Sequence, residues 1–279
     1  QREYIKEASE RICKCLKADF APFLPHLLPG IFKSLKFEGE DVTGRPDADA
    51  DGDNDEYLTM PTEDGKVMKV RTAIFDEMLQ ALQLLHTFCE EMEGAFYDCV
   101  PQTAEALLPI FSQDSAMPLL CDETRSAALQ TWALLIKCAR VGAEQRGLKS
   151  DLPRELLRTF LQKACAQMED EEDPETVHDT AEGIAECLKS AGPGALSGEE
   201  LVQLVQAIFR LIDRSLERSK REEESKNANS QEGEEDGDNE QDDEELCRRS
   251  CEEAIGRVMQ TAPGDFVQCL PQCAQRMQQ

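Results

Sequence analysis

The chain has 279 residues, of which 57 are acidic and 30 basic, giving a formal net charge of −27. A balance that acidic excludes nucleic acid as the primary partner, disfavours an anionic membrane surface, and makes a basic protein or peptide the natural electrostatic complement. The hydrophobic fraction of 40% excludes full disorder, and the aromatic fraction of 5% suits helical packing better than a β-rich fold.

The chain opens on Gln1 with neither a Met nor a signal-peptide pattern and closes inside a helical-looking stretch. Both ends read as cuts through a longer protein. A first helix pair is expected over residues 3–36. An acidic tract follows at residues 38–64, with 11 acids against one Arg, a net of −10. The stretch VRTAIFDEMLQALQLLHTF then sets Val70, Ile74, Met78, Leu82 and Leu85 on one helical stripe and opens a second pair over 67–112. A third pair is expected over 118–169, its second helix starting near Leu152, and a short acidic run at 169–175 reads as a turn. The fourth pair, 173–219, places Leu201, Val205, Ile208, Ile212 and Leu216 on one stripe, with Ser197 positioned to cap that helix. A second tract at residues 220–246 has 13 acids against three basic residues, again −10, and a last pair spans 244–279. No stretch alternates polar and apolar residues for long, so no strand is expected. The two tracts hold −20 of the −27; they lack apolar periodicity to offset their ordering entropy, and are expected to be disordered insertions.

One pattern recurs three times: Phe-x-x-[Phe/Cys]-[Leu/Val]-Pro at residues 20–25, 96–101 and 266–271. Each is followed by apolar residues three and six places past the proline: Leu28 and Ile31, Ala104 and Leu107, Ala274 and Met277. The proline belongs in the first turn of a helix, where its missing N–H is harmless. The first two copies lie 76 residues apart, or 49 without the 27-residue tract; the next step of 170 becomes 143, about 48 for each of three repeats. That period fits helical hairpins of HEAT or armadillo type. The expected fold is therefore all-α: a HEAT-repeat α-solenoid, a superhelical stack of five antiparallel helix pairs.

Several chemical signals compete with a binding role. Residues 47–58 match a calcium-binding EF-hand loop at Asp47, Asp49, Asp51 and Gly52, but Leu58 stands where a bidentate Glu is needed, so a solvated acidic loop is the preferred reading. Cys247 and Cys251, like Cys269 and Cys273, lie four apart on a helix face, and an antiparallel hairpin could gather all four around zinc. Buried thiols packing as small hydrophobes are the preferred alternative. Cys13 and Cys15 point to different sides of a helix. The 12 cysteines, scattered through apolar stretches with no secretory signal, read as reduced thiols. No phosphate-binding glycine loop, nucleophile elbow or metalloprotease pair is present, and His26, His86 and His178 are isolated from one another. No enzymatic activity, cofactor or metal is expected.

The stretches DFAPFLPHLLPGIFKSL, EEMEGAFYDCVPQTAEALLPIF and DETRSAALQTWALLIKCARV, with an acidic insertion after the first and the tract around EEDGDNEQDDEEL later, resemble consecutive repeats of the importin-β (karyopherin-β) family. The order of repeats and insertions is most similar to its karyopherin-β3, or importin-5, branch, within the C-terminal half. The resemblance implies a carrier of basic cargo such as ribosomal proteins or histones. Such a carrier shuttles between cytoplasm and nucleus, binds Phe-Gly nucleoporins through gaps between first helices, and releases cargo to the Ran GTPase in its GTP form. Ran would be held mainly by N-terminal repeats outside this chain. Asp122 and Arg125 resemble the Asp and Arg that begin a HEAT first helix and link neighbouring repeats, a structural role.

Candidate cargo-contacting residues are Glu155, Asp213 and Glu217 on second helices, together with acids of the two tracts: Asp47, Asp49 and Asp51, and Glu234, Glu235 and Asp236. The tracts would act by steering and shielding Lys/Arg-rich cargo, an effect that weakens with salt. Each of these residues has a plainer reading as a solvated helix face or solubilising loop. Two other functions share the fold or the charge: a HEAT scaffold subunit of a multiprotein assembly, and an acidic histone chaperone in which the tracts themselves are the site.

Overall fold

The structure is a computed structural model that describes residues 2–36, 40–41, 57–61, 67–111, 122–168, 171–228 and 237–276. The chain divides into two compact units, residues 1–149 and 150–279. The first unit holds α1 (Arg2–Leu16), α2 (Leu24–Ser34), the strands β1 (Glu40–Asp41), β2 (Tyr57–Pro61) and β3 (Val67–Arg71), then α3 (Ala73–Met92), α4 (Val100–Leu107) and α5 (Asp122–Arg146). The second holds α6 (Leu152–Met168), α7 (Pro174–Ala191), α8 (Gly198–Ala228), α9 (Gly237–Thr261), the single turn α10 (Pro263–Phe266) and α11 (Leu270–Arg276).

Within each unit, first helices of successive pairs pack on one another and second helices form another layer. In the first unit α3 lies between α1 and α5; in the second, α7 packs on α9 and α6 on α8. The polar bonds that cross between repeats confirm the period. Lys137 reaches Glu93 (2.8 Å) over 44 residues, and Arg146 grips Asp98 with two bonds (2.5 and 2.9 Å) over 48. The Cys138 thiol donates to the Cys89 carbonyl (3.2 Å) over 49 residues. In the second unit, Arg154 donates to the Gly194 carbonyl over 40 residues and Arg214 to the Met168 carbonyl over 46.

The recurring Phe-Pro pattern is the turn inside a pair. Lys17–Phe23, Glu93–Cys99 and Val267–Cys269 are 3₁₀ segments, and each leads into a helix whose second residue is the proline (Pro25, Pro101, Pro271). The phenylalanine is buried each time: Phe20 at 2%, Phe96 at 0% and Phe266 at 3% exposure. Leu28, Ile31, Ala104 and Leu107 are buried as expected, whereas Ala274 is exposed and Met277 lies outside the described residues.

A second shared device ends four of the five first helices, α9 being followed instead by Ala262 at φ −144°. The residue after α1, α3, α5 and α7 has positive φ in every case: Lys17 (50°), Glu93 (46°), Gly147 (63°) and Gly192 (79°). Side chains with a Cβ are strained there, and glycine is not. Lys17→Gly should therefore raise the first unit's stability by roughly 0.5–1 kcal/mol in urea denaturation. Among the described residues, the ion pair at stake is a 4.0 Å approach of the exposed Lys17 ammonium to the half-buried Glu91.

Helix α5 makes a close approach to the turn before α4. A Cβ added at Gly142 would stand 2.6 Å from the Tyr97 Cβ and 2.8 Å from the Gly94 carbonyl oxygen. Backbone lies on one side of that clash, so the neighbours have little freedom to move. Gly142→Ala should lower stability by about 1–3 kcal/mol, through overpacking that outweighs its helix-propensity gain. A lower urea midpoint is the readout, and a rise would show that the turn yields.

Five expectations change. The described residues are mostly helical in both units but include a small antiparallel sheet in the order β1-β3-β2, where no strand was expected. Val70 belongs to β3, paired with Leu58, and not to the α3 stripe, which keeps Met78, Leu82 and Leu85 fully buried. The acidic tract 220–246 is not a loop from end to end, since α8 runs to Ala228 and α9 starts at Gly237. Glu, Lys and Arg are good helix formers, and pairs such as Glu217–Arg221 (3.6 Å) support the extension. On α8 the stripe keeps Leu201, Val205 and Ile208 buried, but Leu216 is 42% exposed. A four-residue step drifts around a 3.6-residue helix, so Leu211 and Ser215 take the inward places. The expected third pair is divided, α5 lying in the first unit and α6 in the second.

Candidate protein-binding surface

The second helices of the second unit, α6, α8 and α11, carry a continuous set of polar side chains over two adjoining grooves. Between α6 and α8 a groove of about 350 Å³ has Leu161, Leu196 and Leu204 at its floor and Arg158, Gln162 and Arg210 along its sides. Between α8 and α11 a second, of about 400 Å³, is lined by Gln206, Phe209, Arg210, Gln272, Gln275 and Arg276. The apolar stripe of α8 at Leu201, Val205 and Ile208 buries inward, which turns Gln203, Gln206 and Arg210 outward at steps of three and four.

Two of the three arginines are already engaged. Arg158 pairs with Glu200, and Arg276 holds Asp213 through both nitrogens, Nη2 to Oδ2 at 2.6 Å, while its guanidinium lies 4.4 Å from the Phe209 ring centre. Glu200 has a second task at the start of α8. Its carboxylate accepts from the Ser197 N–H (2.8 Å), and the Ser197 hydroxyl accepts from the Glu200 N–H (3.3 Å), a reciprocal cap that bears out the role expected of Ser197. Partial burial pushes the Glu200 carboxyl up, but bonds from Ser197 and Arg158 outweigh it and hold the group below the usual carboxylate range. A depressed folded value means stability that is present above the ordinary Glu pKa and lost as pH falls through the folded one. Wild type should therefore exceed Glu200→Gln in melting temperature at neutral pH, and the gap should narrow below pH ~4. A gap unchanged down to pH ~2.5 would contradict the assignment.

The residues singled out from sequence are placed as follows. Glu155 is exposed near the start of α6. Asp213, on α8, is turned to Arg276 rather than presented alone, and Glu217 is exposed beside Arg221. Asp47, Asp49, Asp51, Glu234, Glu235 and Asp236, and with them the EF-hand-like loop, lie outside the described residues. Asp122 is the first residue of α5, and Arg125, one turn on, is half-buried. Sequence reasoning missed Arg158, Arg210 and the glutamines around them. Their signal lies in the polar complement of the same α6 and α8 periodicity, which acidic residues alone do not reveal.

The four C-terminal cysteines form two separate sets. Cys247 and Cys251 are fully buried on α9 and hydrogen-bonded to each other. That bond lowers the Cys247 thiol pKa and, helped by burial, raises that of Cys251. Burial also raises Cys269 and Cys273. Among the described residues no group of three or more His, Cys, Asp or Glu side chains is arranged to hold a metal ion. His178 bonds Ser250 (2.6 Å), and His26 is exposed.

A family model described as importin repeat 6 matches residues 176–279. Importin subunit beta-3 of Saccharomyces cerevisiae (strain ATCC 204508 / S288c) is 23% identical over 215 residues, covering 74% of this chain and 18% of the relative. The solved structures of Kap121p bound to RanGTP and of Kap121p bound to Nup53p each superpose with a TM-score of 0.74. Both cover 97% of this chain and 24% of theirs, at 19% and 18% identity. This chain thus spans about a fifth to a quarter of the length of these proteins. The fold is that of a karyopherin HEAT-repeat α-solenoid. With the repeat model, the curated relative and the fold in agreement, the chain is similar to proteins of the importin-β (karyopherin-β) family.

Proposed function

We propose that the chain is a segment of a nuclear import receptor that binds basic cargo proteins, with ribosomal proteins and histones as the leading class, and shuttles with them from cytoplasm to nucleus. The observation that carries this reading is a karyopherin fold over 97% of a chain whose net charge is −27, with −20 of it in two insertions. The work is differential binding rather than catalysis: cargo is held in one state of the receptor and released when GTP-loaded Ran favours another. Kap121p, by its solved complexes, binds RanGTP and Nup53p, which supports both classes of partner here. Phe-Gly nucleoporins would enter gaps between neighbouring first helices. Glu155 and Glu217, with Asp47, Asp49, Asp51, Glu234, Glu235 and Asp236, are the proposed cargo-facing acids; Asp213 contributes only if it leaves Arg276. Asp122 and Arg125 hold neighbouring repeats together.

The deciding experiment is a pull-down of basic cargo by the full-length receptor with and without GTP-loaded Ran. Release by Ran is expected; cargo retained with Ran bound, or no Ran binding at all, overturns the reading. The contribution of the tracts is separable. Deleting 220–246 would remove the first turns of α9 and with them the buried Glu244, so replacing the acids of 38–64 and 229–236 by Asn and Gln is the sounder change. A receptor then loses part of its cargo affinity, an acidic chaperone all of it, and a scaffold none.

A further inference from the structure

The polar second-helix face of the second unit holds one arginine left over from the ion pairs around it. Arg210 lines both grooves, is exposed, and has no hydrogen-bond or ion-pair partner among the described residues. Its nearest acid along α8, Asp213, is taken by Arg276, and Glu200 is taken by Arg158 and Ser197. Around Arg210 stand Gln162 on α6, Gln203 and Gln206 on α8, and Gln272 and Gln275 on α11. All five are exposed, and none has a partner among the described residues. A primary amide presents two donors and an acceptor, the complement of the N–H and C=O of an extended main chain. The floor beneath them is apolar, through Leu161, Leu196 and Leu204 in one groove and Phe209 in the other.

We propose that this face docks an extended peptide segment of a partner protein that carries a carboxylate, Arg210 taking the carboxylate and the glutamines of α6, α8 and α11 holding its main chain. An extended strand turns alternate side chains to opposite faces, so apolar residues meet the leucine floor while those between them face solvent. Second helices set ~8–10 Å apart span about 20 Å across three helices, the reach of roughly six extended residues. A basic segment is rejected because Arg210 would face like charge, so the site selects another class of ligand than the tracts do. The negative charge elsewhere on the chain is screened over ~8 Å at physiological ionic strength, which leaves the local arrangement to decide.

The test uses the full 279-residue chain and a fluorescein-labelled octapeptide alternating Asp and Leu, followed by fluorescence anisotropy at physiological salt. Saturable binding is expected, weakened about tenfold by Arg210→Glu, the loss of one charge-assisted bidentate contact. Gln203→Ala/Gln206→Ala should weaken it by a smaller factor. Both sets of changes are on exposed side chains, and circular dichroism should show unaltered helix content. No saturable binding, or equal affinity in Arg210→Glu, overturns the proposal. So does binding that appears only after the acids of 38–64 are neutralised, since the groove would then belong to the chain's own tract.

Discussion

Replacing Arg218 by Met is expected to lower the stability of the second unit by about 3 kcal/mol, whereas Arg218→Met together with Glu244→Leu should recover most of that loss. Glu244 belongs to the second acidic tract, yet its side chain is only 2% exposed. It is held between α8 and α9 by Arg218, with Nη2 donating to Oε2 at 3.1 Å and Nε donating to Oε1. The surroundings reinforce the pair: the Ser215 hydroxyl donates to the Glu244 carbonyl oxygen (3.4 Å), and Arg248 bonds both Ser215 (3.0 Å) and Ser219 (2.9 Å). Removing Arg218 alone leaves a carboxylate out of water with no counter-charge, the expensive half of breaking a buried pair. Removing both charges leaves an apolar contact in their place, which is often close to neutral. Urea denaturation of the four proteins of the cycle gives the coupling directly. A double variant no more stable than Arg218→Met would show that packing, not charge, holds the two helices.

That pair also shows where the sequence was hard to read. In a run of 13 acids nothing marks Glu244 as different, because its burial depends on Arg218, 26 residues away, and on α9 folding back along α8. Local charge density argued for a solvated loop; helix propensity and local pairs overrode it at the start of the tract, and tertiary pairing at its end. The strands were missed for a related reason. Residues 57–61 and 67–71 are five-residue runs whose pairing is set by register across the insertion and not by strict alternation. Legible from the start were the features that every repeat must solve alike: the Phe-Pro turn, the buried stripes of α3 and α8, and the cap at Ser197. The candidate surface was legible only in part. Its glutamines and Arg210 occupy the polar side of a periodicity that had already been recognised, but which polar residues find internal partners is decided by helices 40 or more residues distant. Asp213 illustrates this, since its partner Arg276 lies 63 residues further along.

The turn phenylalanines carry the largest single contribution expected from one side chain, and Phe96 is the cleanest case. It is fully buried in the segment Glu93–Cys99, against which α5 packs, so truncation to Ala leaves a cavity in a region the neighbouring helix cannot easily fill. The close approach at Gly142 already fixes α5 against this turn, and the Arg146–Asp98 pair, with Arg146 also 4.8 Å from the Tyr97 ring centre, fixes its far end. A rigid wall collapses little, which places Phe96→Ala toward the upper part of the usual range, about 3–5 kcal/mol. Phe20→Ala should fall lower. Its ring meets Phe23 and Phe88 at centroid distances of 5.4 and 5.2 Å, and Phe23 is 48% exposed and free to swing into the space. Parallel urea titrations of the two variants test the ordering. If Phe20→Ala proves the more destabilising, the aromatic cluster, rather than the anchoring of α5, sets the strength of the turn. The same turn would then owe its stability to different neighbours in successive repeats.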